Sequence, residues 1–90
     1  MNSEKKRMAE GMGSRLRAVR LAMGYDTVAG FARYLDIPAS TVRRCERGKL
    51  IATHRAIPLG HALCDRAGFT FDWFFMGTPQ GKRPRRGSAA

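Results

Sequence analysis

The sequence predicts an all-α fold, a compact bundle of five helices. Three observations lead there. Apolar residues recur at helical spacing, as at Leu16, Val19 and Met23, which fall at i, i+3 and i+7. Glycine or proline punctuates the helical patterns at Gly24, Pro38, Gly48, Gly68 and Gly77. No stretch shows the strict apolar–polar alternation of a half-buried strand.

Taken in order, residues 1–11 are polar, carry Lys5-Lys6-Arg7 and are expected to form a flexible basic arm. Ser14 is placed to cap a first helix that runs to Met23 and stops at Gly24. Asp26 or Thr27 caps a second helix ending near Leu35. The turn Asp36-Ile37-Pro38 must break it, because proline holds Ile37 out of the helical region. Pro38 then suits the opening of a third helix, Ala39 to Arg47, which Gly48 stops. Lys49 to Arg55 reads as a loop. A fourth helix follows from Ala56 to Ala67, with Pro58 in its first turn and Gly68 at its end. Thr70 caps a short fifth helix through Asp72-Trp73-Phe74-Phe75-Met76, stopped by Gly77 and Pro79. The folded domain is thus expected over residues 12–79, with a disordered basic tail over 80–90.

The stretch from Ala32 to Gly48 is the most informative. Phe31, Ala32, Leu35, Ile37, Val42 and Cys45 stand where the second and third helices must meet. The other side of the third helix carries Ser40, Arg43, Arg44 and Arg47. A helix with one buried and one cationic face, held across another helix, fits a DNA major groove.

Charge points the same way. The 90 residues hold 17 Lys plus Arg against 7 Asp plus Glu, a net +10. Such an excess favours a polyanionic partner, and nucleic acid is the usual one. The tail contributes Lys82, Arg83, Arg85 and Arg86, yet residues 12–79 keep ten cations against five acids, or +5. No apolar run approaches the ~18 residues of a membrane span, and no apolar block follows the basic N-terminus as in a signal peptide. Two cysteines, Cys45 and Cys64, are too few for a disulfide framework; buried free thiols in a reducing cytoplasm are expected. Cys45, His54, His61 and Cys64 match no compact zinc spacing, so no metal is assigned. Neither a cofactor nor a small-molecule ligand is indicated. No nucleophile–base pair or carboxylate cluster stands in reading order, and no enzyme activity is expected.

Four blocks, in order, resemble the helix-turn-helix DNA-binding family of lambdoid phage repressors and Cro proteins, the XRE-like transcriptional regulators. Arg15-Leu16-Arg17-Ala18-Val19-Arg20 looks like the first helix of that family. Phe31-Ala32, Leu35 and Ile37 look like its positioning helix and turn. Ser40-Thr41-Val42 through Glu46-Arg47-Gly48-Lys49 looks like its recognition helix and exit. Asp72-Trp73-Phe74-Phe75-Met76-Gly77-Thr78 looks like its closing signature. Two turn positions depart from the pattern: Asp36 stands where glycine is usual, and Pro38 where a Ser or Thr cap is usual. With Pro38 in place, Ser40 or Thr41 is left to satisfy the free N–H groups of the third helix. The loop between the first two helices is about one residue longer than common, and the fourth helix also looks longer.

The resemblance implies a five-helix lambda-repressor-like domain that reads double-stranded DNA as a homodimer, assembled in some cases only on DNA. It assigns base reading to Ala39, Ser40, Arg43 and Arg44, with a phosphate contact as the alternative for Arg43. Phosphate contacts fall to Arg47, Lys49, Thr53, His54 and Arg55, and to backbone N–H groups near Thr27 and Val28. It implies a structural ion pair between Arg20 and Glu46. Trp73 is expected in the core, and one of Phe74, Phe75 and Met76 in a dimer contact. The function implied is a cytoplasmic, nucleoid-associated transcriptional repressor of bacterial or phage origin. An antitoxin or activator with the same fold would bind a protein partner as well as DNA. Non-specific binding to nucleic acid through the basic ends is a third class.

Overall fold

The computed structural model describes residues 2–78, and their side chains from Glu4 onward. Among these residues all regular structure is helical: α1 (Asn2–Ala22), α2 (Val28–Leu35), α3 (Ala39–Glu46), α4 (Thr53–Ala62), a π-helical turn (Leu63–Ala67) and α5 (Phe71–Met76). The basic tail over 80–90 lies outside the described residues.

The expected loose arm is instead the first half of α1. The helix is 21 residues long, about 30 Å at 1.5 Å per residue. The stripe set by Leu16 and Val19 continues backward to Met12 at i−4 and Ala9 at i−7, and all four are buried. Burial of that extra turn and a half holds the N-terminal segment helical. Ser14 therefore lies in mid-helix rather than at a cap, and Met23 falls beyond the helix end, exposed.

Helix α1 crosses both α3 and α5, α2 packs on α3, and α4 packs on α5. Leu16, Phe31, Leu35, Val42, Leu59, Leu63 and Phe74 fill the space between them and are fully buried. Each such side chain stabilises the fold by about 1.5–3 kcal/mol. Arg15 joins α1 to α5: its Nε donates to the Phe74 carbonyl (2.9 Å) and its Nη2 to that of Phe75 (3.3 Å). These carbonyls belong to the last turn of α5, where no helical donor remains.

Of the two candidate caps of α2, Thr27 is the one used; its Oγ1 accepts from the Gly30 N–H at 3.1 Å. The helix ends on Asp36 in the left-handed region, φ 59° and ψ 43°. There the Asp36 N–H donates to the Arg33 carbonyl and the Ile37 N–H to that of Ala32. Short polar residues tolerate that conformation better than most, at a cost of about 1 kcal/mol relative to glycine. Pro38 then opens α3 with φ −55°.

The fourth helix begins at Thr53, three residues before the expected Ala56, so Pro58 lies in its interior rather than its first turn. Its continuation to Ala67 winds as a π-turn and stops at Gly68. That turn is tied to α2 by a reciprocal pair. The Tyr34 hydroxyl donates to the Arg66 carbonyl (2.6 Å), and Arg66 Nη1 donates to the Tyr34 carbonyl (3.2 Å). Thr70 caps α5 by accepting from the Trp73 N–H at 3.0 Å. Phe74 is buried, while Trp73 is half-buried against the core and stacks on Phe69 at 4.7 Å. No helix among the described residues is long and apolar enough to cross a membrane.

Candidate nucleic-acid interface

Helix α3 is only eight residues long, so its position depends on what its inner face touches. Val42 and Cys45 are fully buried there, and Thr41 is nearly so. The outer face carries Ser40, Arg43, Arg44 and Arg47, all exposed. Ala39 is half-buried against the core, so it presents less surface than the other reading candidates.

Two contacts fix the far end of α3 to α1. The first is electrostatic. Arg20 Nε donates to Glu46 Oε2 at 2.9 Å, and both side chains are over nine-tenths buried. The same guanidinium donates from Nη1 to the carbonyls of Tyr25 (3.0 Å) and Asp26 (2.9 Å), so it also braces the loop into α2. The second is steric. A Cβ on Gly13 would stand 2.2 Å from the Cys45 carbonyl oxygen. Only glycine lets the α1 backbone lie against the last turn of α3.

The ion pair has an electrostatic consequence for the outer face. Glu46 is the sole acid of α3, and its charge is turned inward and matched. A groove along the helix is lined by Ser40, Arg43, Arg44, Arg47 and Lys49, with no carboxylate among them. Arg44 is further constrained: its Nε donates to the Leu50 carbonyl at 2.9 Å. The two terminal nitrogens of Arg44 have no hydrogen-bond partner among the described residues, and their geometry suits a bidentate contact.

Around this face, Thr53, His54 and Arg55 are exposed on the first turn of α4, and Lys49 is exposed on the loop before it. Thr27 is exposed at the start of α2, its hydroxyl occupied by the cap; Val28 beside it is half-buried. Neither Ser40 nor Thr41 caps α3, contrary to expectation: Pro38 supplies no side-chain hydrogen bond, and no side chain replaces it. Sequence reasoning gave Thr41 only a capping role and Arg15 only a place in the first helix, and so missed what each does in the fold. Their sequence signals are weak, since each depends on distant segments arriving beside it.

Cys45 is removed from solution chemistry by its place in the core. Burial pushes its thiol up to about 12, the negative charge of Glu46 adds to the rise, and Arg15 opposes it. His61 is exposed and meets the Phe71 ring edge-on at 4.8 Å, while Cys64 is half-buried. Among the described residues no three His, Cys, Asp or Glu side chains gather in one place. No family model, curated protein or solved structure matches the chain.

Proposed function

We propose that this chain is a sequence-specific DNA-binding transcription regulator of the lambda-repressor-like helix-turn-helix type. In this reading it is a repressor that sets α3 in the major groove of a palindromic operator as a dimer. The observation that carries it is the division of α3 into a buried side and an outward side bearing Ser40, Arg43, Arg44 and Arg47, with its single acid neutralised by Arg20. Cationic side chains on a short, rigidly held helix meet both demands of DNA reading: attraction to phosphate and fixed geometry at base edges. Met76, 70% exposed at the end of α5, is the candidate for the homodimer contact among the closing aromatic block.

Selection of binding sites from random DNA tests the reading. The expected result is an enriched motif with two half-sites about one helical turn apart. Equal affinity for unrelated duplexes would instead make the protein a non-specific binder. A second reading adds a protein partner, as for an antitoxin or activator. It draws on one observation: Met8, Leu50 and Ile57 stand exposed around an apolar hollow that Met12 and Phe75 also line.

A further inference from the structure

Met8 and Met12 of α1, Ile57 of α4 and Phe75 of α5 line an apolar hollow of about 190 Å³, and Cys45 lines it from α3. Lys49 and Thr53 are the polar residues of its lining, and no carboxylate is among them. Such a lining holds water poorly, because a buried water needs roughly two to four polar partners. An apolar cavity of about 150 Å³ takes up benzene. This hollow therefore has room for one aromatic ring and a short chain. Two methionines suit a ring, since their flexible, polarisable thioethers adapt to its shape and contact its edge favourably.

Lys49 sets the charge of the occupant. It is exposed and forms no ion pair with a described residue, so an anionic group on the short chain complements it. The basic end of the chain does not fit. Residues 79–90 hold no Leu, Ile, Val, Met or aromatic residue, and their four cations would be repelled by Lys49. The hollow also shares a wall with the outer face of α3. Lys49 lines the groove along α3 together with Arg43, Arg44 and Arg47. Leu50, which lines the hollow, accepts from Arg44 Nε through its carbonyl.

We propose that this hollow binds a small aromatic carboxylate, its ring among Met8, Met12, Ile57 and Phe75 and its carboxylate on Lys49. The consequence for regulation rests on the DNA-binding reading above. A bound carboxylate takes Lys49 away from the phosphates, so the ligand acts as an inducer, and DNA and ligand weaken each other by the same factor.

The full chain is titrated with 3-phenylpropanoate and, separately, with 3-phenylpropan-1-ol, which keeps the ring and lacks the charge. The methyl resonances of Met8, Met12 and Ile57 report binding. The carboxylate should bind with a dissociation constant of about 1 mM or below, and the alcohol about threefold more weakly. Lys49→Gln should bring the carboxylate to the level of the alcohol. Ile57→Asp sets a like charge at an exposed rim position and should weaken carboxylate binding at least about tenfold, its melting transition showing that it is folded. If neither probe moves these methyls, or if Ile57→Asp binds the carboxylate as the parent does, the site is overturned. If the methyls move with protein concentration alone, a second copy covers the hollow and the site is likewise overturned. A short random-sequence duplex should bind severalfold more weakly at saturating carboxylate than in equimolar acetate, with the salt slope lower by about one. If duplex affinity is the same in both, the inducer role is overturned, while the site and the DNA reading stand. If no duplex binds in either but the methyls respond, the site stands and the DNA reading falls.

Discussion

Arg20 and Glu46 form a buried ion pair that joins the last turn of α1 to the last turn of α3, 2.9 Å from Nε to Oε2. The two ends of the pair are unequal. Among the described residues Glu46 has this one partner, whereas Arg20 also holds the carbonyls of Tyr25 and Asp26. Removing one partner of a buried pair leaves an uncompensated charge and costs about 3–5 kcal/mol. Glu46→Ala should therefore lower the melting temperature by more than about 10 °C, and Arg20→Ala should lower it further because three acceptors lose their donor. Thermal denaturation of the two variants checks the order; a smaller loss for Arg20→Ala would show that the loop carbonyls do not depend on it.

Two glycines of α1, only two positions apart, should respond oppositely to alanine. A Cβ on Gly13 meets the Cys45 carbonyl, part of a backbone that cannot step aside. Gly13→Ala should cost about 1–3 kcal/mol or more by overpacking. A Cβ on Gly11 meets only the guanidinium end of Arg15, at 3.0 Å. There the gain in helix propensity, up to about 1 kcal/mol, should leave stability unchanged or improved. Denaturant titration of both variants reads the signs, and equal losses would refute the close approach of α1 to α3.

The Cys45 thiol should make stability fall in alkali. Its ordinary value near 9 is raised to about 12 by burial in the fold. The unfolded chain thus loses this proton at lower pH than the folded one. The stability tied to the protonated thiol is complete below pH 9 and declines between about 9 and 12. Measured as the difference between the parent and Cys45→Ala, the loss should appear in that window; a difference independent of pH would contradict it. At neutral pH a thiol reagent should modify half-buried Cys64 well before Cys45 in the folded chain.

Arg44→Ala and Arg43→Ala should separate base reading from phosphate attraction. Arg44 is held by the Leu50 carbonyl with its terminal nitrogens unbonded to any described residue, while Arg43 is exposed with no side-chain hydrogen bond to another described residue. Arg44→Ala should reduce affinity for a selected site by about 1–3 kcal/mol more than for random DNA. Arg43→Ala should weaken both about equally and reduce the salt dependence. Binding isotherms at several salt concentrations distinguish the two; equal losses on both DNAs for Arg44→Ala would remove it from base reading.

Much of the fold is legible in the residues themselves. The glycine stops, the cap at Thr27, the break at Asp36-Ile37-Pro38 and the cap at Thr70 are local signals, and local physics sets them. The start of α1 is misread because residues 1–11 are mostly polar and Ser14 looks like a cap. Ala9 and Met12 already stand at i−7 and i−4 from Leu16, the signal that outweighs both. The place of Gly13 is not legible locally, since it admits α3 and its reason lies 32 residues away in Cys45. The exposed cations of α3 follow from its periodicity. The tether from Arg44 to Leu50 and the burial of Thr41 do not, since they arise only when the loop and α4 fold back.

Because α3 is anchored through its inner residues and through Gly13, most of its outer positions are excused from structural duty. Ser40, Arg43 and Arg47 are exposed, with no side-chain hydrogen bond to another described residue. Substitution there leaves the anchoring intact, so in the proposed DNA-binding role the helix can change what it recognises one position at a time without first risking the fold. Arg44 is the exception. A replacement there also removes the hydrogen bond to the Leu50 carbonyl, so it loosens the loop as well as changing the outer face.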